Sequence, residues 1–250
     1  MKINMILKKL FLLFCLSLMF LTAFSQKKMP ALFIKHLTGN FYTYVSYGRY
    51  KGEPTPANGM YLVTNKGVVL FDTPWEDQYY QPLLDSIRVR HHKRVIMCIS
   101  THYHKDRTGG LKYYASKGIE TYTTCLTDSL CIIHQMPRAK YLIAKDTVFN
   151  IDGNIFQTYS PGAGHTLDNI VLWFPKEKIL YGGCFIKSTE DDNLGFTGDG
   201  NIKQWAVSIH HVKEKFPNPK YIIVGHNDYA DLHSIDHTLK MVNDYNETHK

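Results

Sequence analysis

The sequence predicts an α+β fold in which two β-sheets face each other and helices cover their outer sides. Three observations carry that expectation. Short apolar and aromatic runs broken by turn residues recur along both halves of the chain, as strands do. Segments with helical apolar spacing stand between groups of strands, the last of them at Ile235, Leu239, Val242 and Tyr245. Polar side chains able to bind metal follow strand after strand: His102, His104 and Asp106, then His165, Cys184 and His226. Two sheets bury both of their faces only by packing on each other and under helices. Strand ends sharing one rim would bring those side chains together.

The chain has 250 residues, 44% hydrophobic and 13% aromatic, enough for one large domain. Its beginning differs in kind. Lys2, Lys8 and Lys9 precede an uncharged run from Leu10 to Phe24, and Ala23 and Ser25 supply the small residues of a cleavage site. Residues 1–25 therefore read as a secretory signal peptide cut before Gln26, and 26–250 as a single domain. The apolar run falls short of the roughly 20 residues that a spanning helix needs. Cys15, with bulky Phe14 before it and apolar residues after it, does not read as a lipid-modified cysteine. The expectation is a periplasmic protein with no membrane attachment after cleavage.

The formal charge of +7 includes those three lysines and no acid from the leader, so the mature chain carries +4. Its basic residues are scattered, with no long run and no aromatic interleaving, which argues against nucleic acid as a partner. No heptad or large apolar stripe points to assembly, so a monomer is expected. After cleavage the cysteines are Cys98, Cys125, Cys131 and Cys184. Cys98 sits inside an apolar strand and reads as core, Cys184 reads as a ligand, and Cys125 and Cys131 stay open between disulfide and free thiols.

In chain order, Phe33 to Leu37, Phe41 to Tyr47, Met60 to Thr64 and Val68 to Phe71 read as strands of an antiparallel sheet with hairpin-like connections at Thr38-Gly39-Asn40 and Asn65-Lys66-Gly67. Gly48 to Gly59, with Pro54 and Pro56, is expected as a loop, either a mobile flap or an ordinary exposed connection. Asp72 ends a strand, where it can support a metal site or cap the helix expected from Tyr79 to His91, with Pro82 in its first turn. Helices are predicted at Thr108 to Lys117 and Thr127 to Gln135, with a short strand at Thr121 to Thr123 between them. Strands follow at Thr147 to Ile151, Ile155 to Tyr159, Ile170 to Phe174 and Lys178 to Tyr181. A helix carrying Ile202, Trp205, Ile209 and Val212 leads to the strand Tyr221 to Val224.

The chemistry concentrates in Ser100 to Gly110, STHYHKDRTGG. Residues two apart share a face of an extended chain, so a strand end can fold His102, His104 and Asp106 around one point. Two imidazoles and a carboxylate suit zinc, whereas calcium and magnesium take more oxygen. A second stretch, Ser160 to Asn169, sets His165 among glycines; Gly182-Gly183-Cys184 and Gly225-His226 close two further strands.

On these motifs the sequence resembles the metallo-beta-lactamases of the two-zinc subgroup, over nearly all of the mature chain. The resemblance rests on H-x-H-x-D-R at His102 to Arg107, G-H-T-x-D-N at Gly164 to Asn169, G-G-C at Gly182 to Cys184 and G-H at Gly225-His226. It implies a four-layer αββα sandwich and two Zn2+ ions, one held by His102, His104 and His165, the other by Asp106, Cys184 and His226. It further implies hydrolysis of the β-lactam amide of penicillins, cephalosporins and carbapenems by a metal-bound hydroxide, without a covalent enzyme intermediate, and so antibiotic resistance. Asp106 would orient that hydroxide as well as bind metal. Lys187 would pair with the carboxylate of the small-molecule β-lactam, and Arg107 and Asp72 would hold the cysteine side of the site.

The sequence also departs from the family. An L-G-N asparagine near the lactam carbonyl is frequent there, whereas this chain has Leu194-Gly195-Phe196, and Phe196 donates no hydrogen bond. The nearest rivals are a thioesterase or lactonase of the same superfamily, which usually carry a histidine after the motif aspartate and a bridging aspartate in place of the cysteine. Arg107 and Cys184 argue against them. An exported zinc-binding protein without catalysis is the rival from another class.

Overall fold

Seven strands pair in sequence order to form the first sheet: β1 (Phe33–Thr38), β2 (Phe41–Tyr50), β3 (Glu53–Val63), β4 (Val68–Phe71), β5 (Val95–Ile99), β6 (Glu120–Thr124) and β7 (Tyr141–Ile143). They belong to a computed structural model that describes residues 28–144 and 146–249. The expected leader at 1–25 lies outside the described residues. β1 to β4 are antiparallel neighbours, and β4 to β7 run parallel. The second sheet has β8 (Val148–Ile151), β9 (Asn154–Tyr159), β10 (Val171–Phe174), β11 (Ile179–Gly183) and β12 (Tyr221–Val224) in the order β12-β11-β10-β9-β8. Only its β11–β12 pair is parallel.

The helices are α1 (Tyr80–His91), α2 (Lys105–Thr108), α3 (Leu111–Ser116), α4 (Cys125–Ile133), α5 (Ile202–Lys215) and α6 (Ser234–Thr248). Side-chain alternation explains the layering. In β4, Val69 and Phe71 enter a core shared with Phe156, Leu172, Phe174 and Tyr181 of the second sheet. Val68 and Leu70 point the other way, onto Leu83, Ile87, Leu111 and Tyr114 of α1 and α3. On the far side Leu180, Ile222 and Val224 meet Trp205, Ile209 and Val212 of α5 and Ile235 and Val242 of α6. Strands covered on both faces read as unbroken apolar runs, and each fully buried large apolar side chain contributes about 1.5–3 kcal/mol. The result is the αββα sandwich expected from the motifs.

Four local expectations change. Gly48 to Gly59 is not a loop: β2 and β3 form one long hairpin paired as far as Tyr50 with Glu53, turning at Lys51 and Gly52. The prolines that argued against strand are tolerated by parity. Asn58 turns its N–H away from β2, to Gly225 O at 2.9 Å, so the even positions Pro54 and Pro56 lack their N–H groups on a side where β3 has no strand neighbour. The helix expected at Thr108 to Lys117 is split, α2 and α3 meeting at Gly109-Gly110. The short strand β7 was not foreseen. Asp72 caps no helix, because α1 opens from a 3-10 turn at Asp77–Tyr79. The four cysteines among the described residues, Cys125 and Cys131 included, are free thiols.

Candidate metal centre

Strand direction gathers the site. β4 and β5 run parallel, and so do β9, β11 and β12, because β10 is antiparallel to both β9 and β11. The segments that follow β5, β9, β11 and β12 carry His102, His104 and Asp106; His165; Cys184; and His226. An Ile170 N–H to Thr101 O bond of 3.0 Å ties the loops of the two sheets together at this rim.

His102, His104 and His165 place one ligand atom each within 4.8 Å of one another, and His102, Asp106 and Cys184 do the same, so two candidate positions adjoin. His165 Nε2 lies 3.2 Å from His104 Nδ1. Zinc–nitrogen bonds of about 2.0–2.1 Å in a tetrahedron separate neighbouring nitrogens by roughly 3.3 Å. In the second set Cys184 Sγ is 3.3 Å from Asp106 Oδ2 and 3.2 Å from His226 Nε2, and His226 Nε2 is 3.4 Å from Asp106 Oδ2. Both triads have the span that one zinc ion requires.

The protonation states fit as well. His226 Nδ1 lies 2.6 Å from Pro56 O, which only accepts, so Nδ1 carries a proton and Nε2 is the nitrogen turned to the site. His104 Nε2 is bonded to Asp199 Oδ2 at 3.0 Å, which leaves Nδ1 facing inward. Burial first, then neighbouring cations, hold His102 and His165 well below the usual imidazole range, as neutral ligands. His102 Nε2 is buried without a hydrogen-bond partner, so its lone pair is free for a metal ion. Burial raises the Asp106 carboxyl, but Arg107 and His226 outweigh it and hold it well below its ordinary value. Burial would lower His226; Cys184 and Asp106 overcome that and push it up to about 9. His226 thus carries a proton on Nε2 in the metal-free protein, one that a metal ion would displace, and imidazoles, a carboxylate and a thiol together are a zinc donor set; the two sets suit two zinc ions.

Comparison with known proteins agrees. Residues 52–226 match the model of the metallo-beta-lactamase superfamily. The chain belongs to that superfamily. It is 43% identical over 239 residues to the metallo-beta-lactamase type 2 of Elizabethkingia meningoseptica, covering 96% of either chain. Among solved structures it is similar to metallo-beta-lactamase IND-7, with a TM-score of 0.83 and 37% identity over 86% of this chain and 100% of that one. A metallo-beta-lactamase from Pontibacter korlensis superposes with a TM-score of 0.82 at 32% identity, covering 85% of this chain and 99% of that one.

In this superfamily member Arg107 is the buried hub of the Asp-Cys-His set. Its Nη2 donates to Cys184 Sγ at 3.0 Å and to Gly225 O at 2.9 Å, and its Nη1 to Asn58 O at 2.6 Å. Its Nε stands 2.9 Å from Asp106 Oδ2, and Asp72 Oδ2 is 3.4 Å from Nη1. Asp72 in turn accepts from Thr101 N at 2.7 Å and from Tyr181 OH at 2.7 Å, so it holds the segment before His102. Burial pushes its carboxyl up to about 6, with Arg107, Tyr181 and Thr101 pulling against it. At Gly225 a Cβ would stand 2.6–2.7 Å from Cys184, so only glycine lets the β12 end close on the sulfur.

Lys187, expected at the rim, is buried along its length, with Nζ 5.6 Å from the Trp205 ring centre; burial lowers its ammonium from the ordinary lysine value. Phe196 is half exposed, its ring centre 5.8 Å from that of His104.

Sequence reasoning missed two side chains. Asp199 accepts from both His104 and Tyr103, which hold its carboxyl below the ordinary range although burial acts the other way. Trp75 sets its ring edge-on to His226, 5.6 Å between centres. Asp199 lies between two glycines just past Phe196, and Trp75 follows Asp72-Thr73-Pro74. A polar or aromatic residue pinned in such turns was the available signal.

Proposed function

We propose that this chain hydrolyses the amide bond of β-lactams with two zinc ions, as a periplasmic monomer matured by loss of residues 1–25. Its six inward-facing ligand atoms, three from each half of the sandwich, are the observation that carries the reading. The lactamase names of its relatives support the substrate, and the lysines, apolar run and small residues at the start of the sequence support export. Among the described residues no helix is long and apolar enough to cross a membrane.

Zinc held by these residues would supply Lewis-acid polarisation of a carbonyl and lower the pKa of a water molecule toward about 7. The chain's own groups would do the rest. Lys187 would anchor the carboxylate of the lactam as a point charge, aligning the amide over the histidine set. Asp106 Oδ2 is engaged by Arg107, Cys184 and His226, so Oδ1 is the oxygen to accept a proton from the attacking water and orient it. Arg107 balances the charge of Asp106 and Cys184 and fixes both. His226, with Nδ1–H committed to Pro56, stays a ligand and does not act as an acid.

The test is turnover of a carbapenem and a cephalosporin by the chain from Gln26, with zinc and then with chelator. Chelator-sensitive hydrolysis is expected. Two bound zinc ions with no lactam turnover, alongside hydrolysis of a thioester or lactone, would replace this reading with that of a related hydrolase.

A further inference from the structure

We propose that Phe196 determines specificity by giving the site an apolar shelf for an aryl substituent of its substrate. The inference rests on the lactam-hydrolase reading and names the substrate feature that the site selects.

Phe196 belongs to the turn at residues 193–201, which crosses from Lys187 to the histidine set. At one end, a Cβ on Gly195 would stand 3.7 Å from Lys187 Nζ. At the other, Asp199 bonds His104 Nε2 at 3.0 Å. The ring of Phe196 therefore flanks the path from the anchoring ammonium to the metal ligands, with its plane 63° to that of His104. Isolated exposed apolar side chains are ordinary, but this one is fixed. A Cβ on Gly198 would meet Phe196 Cζ at 2.8 Å, so the ring leans on bare backbone there, and it also packs edge-to-face with the imidazole of His104. Gly195 has φ +71, and its N–H is held by Asn193 Oδ1 at 2.8 Å, which sets the turn.

An aromatic face held in place loses little freedom on binding. It offers no hydrogen bond, and 48% of it stays in water, so its partner is an apolar group of the ligand. Edge or offset contact between two aromatic rings favours an aryl ligand about fivefold.

The experiment compares wild type, Phe196→Ala, Phe196→Tyr and Gly198→Ala, each checked for an unchanged circular-dichroism spectrum and zinc content. Calorimetry measures binding of ring-opened benzylpenicillin, which carries a phenylacetamido group, and of a ring-opened carbapenem with hydroxyethyl in its place. Wild type should favour the phenyl-bearing probe. Phe196→Ala should lose about fivefold for that probe and less than twofold for the other. Phe196→Tyr should keep the preference, and Gly198→Ala, by pushing the ring off its seat, should lose it. Equal affinity of wild type for both probes, or parallel losses in Phe196→Ala, overturns the proposal. Turnover of the parent lactams, run alongside, decides the hydrolase reading separately: wild type that binds the phenyl probe selectively but opens no lactam keeps the shelf and loses the hydrolase.

Discussion

His226 gives its Nδ1 proton to the carbonyl of Pro56, 2.6 Å away on β3, so a ligand of the second metal set is oriented by a strand of the opposite sheet. The hairpin and the metal are thereby coupled. Pro56→Gly, which frees that backbone, should weaken binding at the Asp-Cys-His set about tenfold and leave the three-histidine set nearly unchanged. Stepwise zinc titration separates the two, and equal weakening of both would remove the coupling.

Asp199 stands behind His104 as Pro56 stands behind His226. Asp199→Ala should cost the three-histidine set about 10- to 100-fold in zinc affinity, with Asp199→Asn falling between it and wild type because an amide oxygen still accepts from Nε2. Competition with a chelator of known affinity reads the effect. Wild-type affinity in Asp199→Ala would leave Asp199 a role in the loop alone.

Cys184→Ser should keep the fold and lose much of the second zinc, since a hydroxyl is a harder and weaker ligand than a thiolate. The measurement is metal content after dialysis. Two tightly bound zinc ions in the variant would displace Cys184 from the ligand set.

Arg107→Ala leaves Asp106 and Asp72 buried beside a lost cation. Removing one partner of a buried ion pair costs about 3–5 kcal/mol, and denaturant unfolding of the metal-free protein should fall by that amount. A loss below about 1 kcal/mol, the scale of an exposed pair, would mean that water replaces the guanidinium.

Asp72 gives the metal-free protein a pH dependence of definite sign. Its carboxyl sits at about 6 in the fold, against about 3.9 in an unfolded chain. Between those values the folded protein binds more protons at Asp72, so this group's contribution to stability falls as pH rises from about 4 to about 6, by about 3 kcal/mol. Asp72→Asn should flatten that stretch of the stability curve. A difference between wild type and Asp72→Asn that has the opposite sign there would mean that Arg107 outweighs the burial of Asp72.

The layers of the fold and the ligand set were legible in the sequence because both are written locally. Apolar alternation marks strands such as Val68 to Phe71, and histidines two apart at a strand end mark the metal. The hairpin of β2 and β3 was not legible, because Pro54 and Pro56 argue against strand until the unpaired side of β3 is known. Asp199 and Trp75 act through rings far along the chain, His104 and His226, and nothing adjacent in sequence names those partners. The break between α2 and α3 is marked by Gly109-Gly110, but glycine pairs also occur inside helices, and here Thr73, whose Oγ1 accepts from Gly110 N–H at 3.0 Å, helps fix it.

The division of ligands between the sheets has a mechanical meaning. His102, His104 and Asp106 belong to the half built before residue 144, and His165, Cys184 and His226 to the half built after it. Neither half holds a complete triad, so each zinc ion would be a rivet through the seam, its ligand set complete only with the two halves together. Bound zinc would thus pin at the rim two halves that already share a core, and a metal-depleted chain would be the easier one for a protease to open there.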